Sequence, residues 1–170
     1  VIEFLAAGLV VVSGIGIRFV TNPFGGIINL HPIIAIIIAL VWIVFLTNMV
    51  DWSKGFDGQL PGIVIIASLT VAVFSFRYSA DITQWPIAIL ASITAGAYLG
   101  FLPFNFYPQK IMPGYGGGTL AGFMIAILTI LSTSKILTAM VVLGLPIADG
   151  VYSMTRRILS GRSPFWGDRG

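Results

Sequence analysis

Charge is scarce in this chain. Only 9% of its 170 residues are Asp, Glu, Lys or Arg, against roughly 25% in a soluble domain, which excludes an ordinary water-soluble fold. Cysteine is absent, so disulfides and thiol chemistry are excluded. There is one histidine, His31, and it falls in a loop. No Ser-His-Asp set, no zinc-ligand spacing and no Walker loop can be assembled. The formal net charge is only +3, too little and too scattered for a nucleic-acid footprint, so no nucleic-acid partner is expected.

What the chain has is apolar length. It is 57% hydrophobic, with a mean hydropathy of +1.00. The apolar runs lack the strict alternation of a membrane barrel and approach the length of a bilayer helix. The expectation is an all-α, polytopic integral membrane protein with about six transmembrane helices, at 1–17, 32–47, 63–76, 85–102, 119–131 and 136–154, forming a single transmembrane domain over 1–170. Several of these runs are short for a hydrocarbon core of about 30 Å, which takes roughly 20 helical residues, so the helices should extend into their flanks. Trp42, Trp52 and Trp85 read as interfacial aromatics, and Glu3 sits at a span end.

Six spans return both termini to one side. Lys54, Lys110, Arg156, Arg157, Arg162 and Arg169 fall on that side, and Arg18, Arg77 and Lys135 on the other. The positive-inside rule makes the richer side cytoplasmic. Asp51, Asp57 and Asp168 share it, and Asp149 lies in the last turns of the sixth span. The residues able to do chemistry therefore converge on one membrane face.

Three segments carry that convergence. "NMVDWSKGFDG", 48–58, ends a greasy span with Asn48, Asp51, Lys54 and Asp57. It is either a solvated loop end or a place where carboxylates hold a cation or substrate hydroxyls, because ionisable groups near a membrane are costly unless paired. Lys54, Asp51 and Asp57 are close enough in sequence to pair on one helical turn. "PFNFYPQKIMPGYGGGTLAG", 103–122, offers Asn105 and Lys110 as donors, and Gly114, Gly116, Gly117 and Gly118 as a nest of backbone N–H groups before a helix starting at Thr119. A plain flexible connector is the alternative. In "ADGVYSMTRRILSGRSPFWGDRG", Asp149 is a carboxylate within a span, and Arg156 shares its helical face two turns on. Arg156, Arg157 and Arg162 serve either as membrane-side anchors or as phosphate ligands.

Together these segments resemble the polyprenyl-phosphate N-acetylhexosamine-1-phosphate transferases of bacterial envelope synthesis. "TNPFGG" is similar to an external turn of that family, and "TNMVDWSKGFDG" to its N-x-x-N-x-x-D-G-x-D-G. "GFLPFNFYPQKIMPG" is similar to its F-N-x-x-P-A-K segment, and "LPIADGVYSMTRRILSGRSPFWGDRG" to the run leading to its H-x-H-H motif. The family has about ten spans, so the chain is expected to be a central portion, with an Asp-Asp motif before Val1 and the histidines after Gly170.

The resemblance implies a transferase in the inner (plasma) membrane that moves a sugar-1-phosphate from a UDP-sugar to a polyprenyl phosphate at the cytoplasmic face, with Mg²⁺ as cofactor and UMP as by-product. A homodimer is compatible with it. It implies Asp57 and Lys54 as catalytic residues. Asn48, Asp51, Asn105, Lys110, Gly114, Gly116, Gly117 and Arg162 are implied as substrate-binding, and Asp149, Arg156 and Asp168 as site support. Four positions depart from the family pattern. Tyr115 stands where it has a metal-binding Asp, Lys54 where it has the first Asp of D-G-x-D-G, Asp51 where it has the second Asn, and Met112 where it has an aromatic. Two other readings remain open: a non-catalytic relative that binds nucleotide-sugar or lipid phosphate, and a transporter element with broken helices around a midplane site.

Overall fold

The computed structural model describes residues 2–17, 19–21, 27–77 and 84–132, with 144, 155, 156 and 159 as isolated helical positions. The expected sixth span, at 136–154, lies outside the described residues, as do Asp149, Arg162 and Asp168. The described chain runs α1 (Ile2–Val12), β1 (Phe19–Thr21), β2 (Ile27–Asn29), α2 (Pro32–Trp52), a 3₁₀ turn (Ser53–Gly55), α3 (Gln59–Arg77), α4 (Trp85–Asn105) and α5 (Tyr115–Leu131). It is helical apart from one short antiparallel hairpin, in which Phe19 faces Asn29 and Thr21 faces Ile27. The hairpin falls on the segment read as a bare external turn, and it qualifies the all-α expectation.

Three of the five helices, α2, α3 and α4, are long and apolar enough to cross a membrane. At 1.5 Å per residue, the 21 residues of α2 and of α4 each reach about 30 Å. Five of the six expected spans fall on described helices, three of spanning length and two shorter; the sixth lies outside the described residues. α1 stops at Val12, not residue 17. Ser13 Oγ donates to Val10 O at 2.7 Å and Gly14 takes φ +95, a left-handed turn that ends the helix at low cost only for glycine. Elsewhere the helices outgrow the sequence bounds. α2 continues to Trp52 because its polar residues bond to its own backbone: Thr47 Oγ1 donates to Ile43 O and Asn48 Nδ2 to Val44 O. α3 starts at Gln59, with Pro61 in a first turn whose N–H groups have no intrahelical partner in any case.

α5 starts at Tyr115 rather than Thr119, with Gly114 as its N-cap. The glycines read as a nest before the helix are therefore its first turn. Glycine is a poor helix former, and packing overrides that here. A Cβ on Gly118 would run into Asp51 Oδ1, and one on Gly122 would lie 2.6 Å from Thr47 Cα and from Thr47 O. α5 thus lies on α2 backbone to backbone, the small-residue contact that lets membrane helices approach closely. Below this contact Ala39, Ile43, Leu46 and Val50 of α2 are buried with Ala121 and Ile125 of α5 and Leu60 and Val64 of α3. Trp42, expected at an interface, instead lies mid-helix, half-buried, and its Nε1–H donates to Thr129 Oγ1 of α5 at 3.0 Å. α3 packs on α4 through Val71, Ala72, Ile87 and Ala91. The outer faces keep Ile33, Ile37 and Val41 of α2 and Ile89 and Ile93 of α4 exposed, as suits helices whose surroundings are lipid.

Replacing Gly122 by Ala forces a methyl into the Thr47 backbone. Overpacking of this kind costs about 1–3 kcal/mol, so G122A should lower the unfolding midpoint of the detergent-solubilised protein. An alanine at Gly96, inside α4 where a Cβ meets nothing within 4 Å, should not lower it and should raise it slightly, alanine being the better helix former.

Candidate functional site

The first turn of α1, the C-terminal end of α2, the start of α3, the end of α4 and the start of α5 meet at one end of the bundle. The polar side chains of the described residues form two junctions there.

The first joins α1, α2 and α5. Asp51 is buried, 7% exposed, in the last turn of α2. Both of its oxygens accept from Lys54 Nζ, Oδ1 at 2.9 Å and Oδ2 at 2.8 Å. The 3₁₀ turn that follows α2 puts Lys54 on the same side as Asp51, three residues back. The ammonium also lies 5.1 Å from the centroid of the Tyr115 ring, within the roughly 6 Å over which a cation is attracted to a ring face. The Tyr115 hydroxyl donates to Glu3 Oε1 at 3.4 Å, and the other Glu3 oxygen accepts from Asn48 Nδ2 at 2.9 Å. One connected set, Asn48–Glu3–Tyr115–Lys54–Asp51, therefore ties three helices together.

Glu3 had no role in the sequence reading beyond ending a span. The available signal was that a carboxylate in an apolar helix is normally paired; what could not be read was its partner, 45 residues away for Asn48 and 112 for Tyr115.

The second junction joins α3, α4 and the loop between α4 and α5. Gly58, with φ +76, turns the chain into α3, and its N–H donates to Asn105 Oδ1 at 3.1 Å. Asn105, 2% exposed, donates from Nδ2 to Ile111 O at 3.1 Å. The N–H groups of Lys110 and Ile111 both return to Phe104 O at 3.0 Å. Asn105 thus spends its amide on two backbone segments: it holds the turn that carries Asp57 and the loop that carries Lys110. The sequence reading made Asn105 a donor to a ligand. The structure makes it the latch that sets the two neighbouring charges in place.

The remaining expected residues divide by exposure. Asp57 is exposed and forms no ion pair with the described residues, so the expected three-way pairing reduces to Lys54 with Asp51. Lys110, Gly114, Gly116 and Gly117 are exposed, as is Met112. Gly117 O accepts from Tyr98 Oη at 3.1 Å, which leans α4 on the start of α5. Arg156 is exposed at an isolated helical position. Asn105 reaches the residue next to Asp57 through the Gly58 N–H.

Magnesium takes oxygen ligands, usually carboxylates together with substrate phosphates. Among the described residues no three acidic, His or Cys side chains come together to hold a metal. Asp51 is closed by Lys54, and the phenol at Tyr115 is a poor substitute for a carboxylate. The described residues do not fit a magnesium ion.

A bundle with three helices long and apolar enough to cross a bilayer, with Glu3, Asp51, Lys54, Asp57 and Lys110 toward one end and Arg77 at the other, is that of a membrane protein. The family model for Glycosyl transferase family 4 matches residues 1–133, and the chain belongs to that family. It is 28% identical over 190 aligned positions to decaprenyl-phosphate N-acetylglucosaminephosphotransferase of Mycobacterium leprae, covering 98% of this chain and 48% of the relative. It is 33% identical over 129 positions to the probable undecaprenyl-phosphate N-acetylglucosaminyl 1-phosphate transferase of Bacillus subtilis, covering 72% and 35%. To phospho-N-acetylmuramoyl-pentapeptide-transferase of Clostridioides difficile it is 32% identical over 130 positions, covering 76% and 37%. The chain spans about half the length, or less, of these curated relatives.

Removing the Asn105 amide leaves the Gly58 N–H without its partner and the Ile111 carbonyl with only the longer contact from Gln109 Nε2 at 3.5 Å. An unsatisfied buried group costs about 1–3 kcal/mol, so N105A should destabilise the protein by that amount in denaturant titrations. N105D, which keeps the acceptor for Gly58 and loses the donor to Ile111, should fall between N105A and wild type.

Proposed function

We propose that the protein containing this chain transfers a sugar-1-phosphate from a UDP-sugar of the UDP-GlcNAc type to a polyprenyl phosphate at the cytoplasmic face of the plasma membrane, for envelope polysaccharide or peptidoglycan synthesis. An oxygen of the lipid phosphate attacks the sugar-bearing phosphorus of the donor. The bond from that phosphorus to the bridging oxygen breaks, and UMP leaves with the electron pair. Family membership and the named activities of the relatives support the reading. The observation that carries it is the meeting of five helix ends at one end of the bundle, where Lys54, Asp57 and Lys110 stand beside an apolar exterior. A donor arriving from water and an acceptor with a lipid tail can meet only at such an edge. Lys54 and Lys110 at this end, with Arg77 at the far end of α3, fit a cytoplasmic orientation.

Phosphoryl transfer asks a protein mainly for positioning and charge neutralisation. Lys54 has three donors and directs them at both Asp51 oxygens, yet its side chain remains 24% exposed, which leaves it open to a phosphate oxygen. Lys110 adds a second positive charge from the latched loop. Asp57, held by the turn at Gly58, takes the proton of the acceptor phosphate, whose second pKa is about 6, as its oxygen attacks. We assign Arg162, Asp149 and Asp168 to the same site on the strength of the resemblance.

A second reading, a relative that binds the donor without turning it over, is favoured by the closure of Asp51 and by the phenol at Tyr115. UMP release separates the two. The full-length protein, given UDP-GlcNAc and a polyprenyl phosphate, should release UMP; binding of the donor with no release establishes the second reading. In the active enzyme Asp57→Asn should lower kcat by roughly 10²-fold, the lower end for a positioned proton-transfer group. Lys54→Asp should also lower turnover, and unchanged turnover removes Lys54 from the reacting end.

A further inference from the structure

We propose that the Lys54 ammonium is a tethered cation that occupies the place of a metal ion at Asp51, so that this end of the bundle is assembled without a divalent ion and acquires a divalent-ion site only when Lys54 is removed. A buried carboxylate at a membrane edge needs a compensating positive charge. In this chain the charge comes from three residues along, at 2.8 and 2.9 Å from the two oxygens, the short distances of charge-assisted bonds. The ammonium is held from its other side by the Tyr115 ring.

The other approach to the carboxylate is taken as well. The backbone of α5 at Gly118 lies so close that a single added methyl would meet Asp51 Oδ1. Magnesium requires near-octahedral coordination and keeps several waters, and between Lys54 and Gly118 there is room for neither. A divalent ion would also meet the repulsion of the ammonium itself. The nearest other carboxylate in the connected set, Glu3, is engaged by Asn48 and Tyr115 and is not free to draw an ion in.

With Lys54 gone, the same walls invert their meaning. Asp51 keeps two uncompensated acceptor oxygens, Glu3 remains at the Tyr115 hydroxyl, and the volume of a four-carbon stem and ammonium opens beside Asp51. Carboxylate oxygens and space for water are what a hard divalent cation selects.

The test uses Mn²⁺ alone, with the full-length protein carrying ¹³C-labelled tyrosine in detergent micelles. The Tyr115 ring signal is assigned by its loss in Y115F. Mn²⁺ broadens signals of nuclei near it. The wild-type Tyr115 signal should keep its width through a Mn²⁺ titration, that of K54M should broaden, and that of the double variant D51N/K54M should again stay sharp. K54R, which keeps the charge, should behave as wild type. Broadening of wild-type Tyr115 to the extent seen in K54M overturns the proposal, and so does a folded K54M that stays sharp. Should K54M be obtained only with a divalent ion in the buffer, that dependence supports it; should K54M not fold at all, the wild-type and K54R titrations decide, sharp signals supporting and broadened ones refuting. None of these readouts involves turnover, so they stand or fall apart from the transferase reading.

Discussion

α5 lies on α2 with bare backbone facing the Thr47 backbone at Gly122 and the Asp51 side chain at Gly118, and everything at the polar end depends on that contact. A Cβ at either position would push the helices apart. Tyr115, one turn before Gly118, would then leave Lys54, and the hydroxyl that reaches Glu3 of α1 would go with it. The contact is made without a hydrophobic side chain at its closest point, which is how helices pack where the surrounding lipid is as apolar as leucine. The Trp42–Thr129 hydrogen bond lies lower on the same seam and fixes the rotation of α5 about its axis. Together they convert a helix pair into a platform for charge.

The two polar junctions on that platform divide the labour. Asn48 pairs with Glu3 and Lys54 with Asp51, Tyr115 touches both pairs, and Asn105 bonds backbone on both sides. These groups hold position. The groups left facing outward, Asp57, Lys110 and the exposed glycines of the first turn of α5, sit on segments those anchors immobilise. Fixed charges near an apolar wall are costly when unpaired. Pairing the inner residues and exposing the outer ones meets that constraint.

The helices were legible in the sequence because apolar length needs no tertiary information, and the pairing of Lys54 with Asp51 was legible because i,i+3 neighbours meet in any helix-like turn. That Asp51, Lys54, Asp57 and Lys110 lie toward one end followed from counting spans, while Asp149, Arg162 and Asp168 fall outside the described residues. The rest depends on contacts between distant segments. Nothing local marks Gly118 as a site of close approach rather than a flexible loop, so the start of α5 was placed four residues late. Nothing local shows that the Asn105 amide is consumed by Gly58 and Ile111, 47 and 6 residues away. Trp42 looked like an interface residue until its partner on α5 was in view. Glu3 was passed over because an acid at a span end is ordinary until something is seen to bind it.

Lys54 and Tyr115, read along the chain, are two separate departures from the family pattern, 61 residues apart. In the fold they are one. The ammonium lies over the ring at 5.1 Å, the ring carries its hydroxyl to Glu3, and the ammonium carries its charge to Asp51. A carboxylate at position 115 would compete with Asp51 for Lys54 and add negative charge beside Glu3. A carboxylate at position 54 would stand three residues from Asp51, a like-charge pair with no cation of its own. Either change adds negative charge to a set in which one ammonium already faces two carboxylates, Asp51 and Glu3, whereas ring and ammonium together keep that excess to a single charge. The two substitutions are therefore coupled through a single cation, and the charge state of this end of the bundle is set by the pair rather than by either residue.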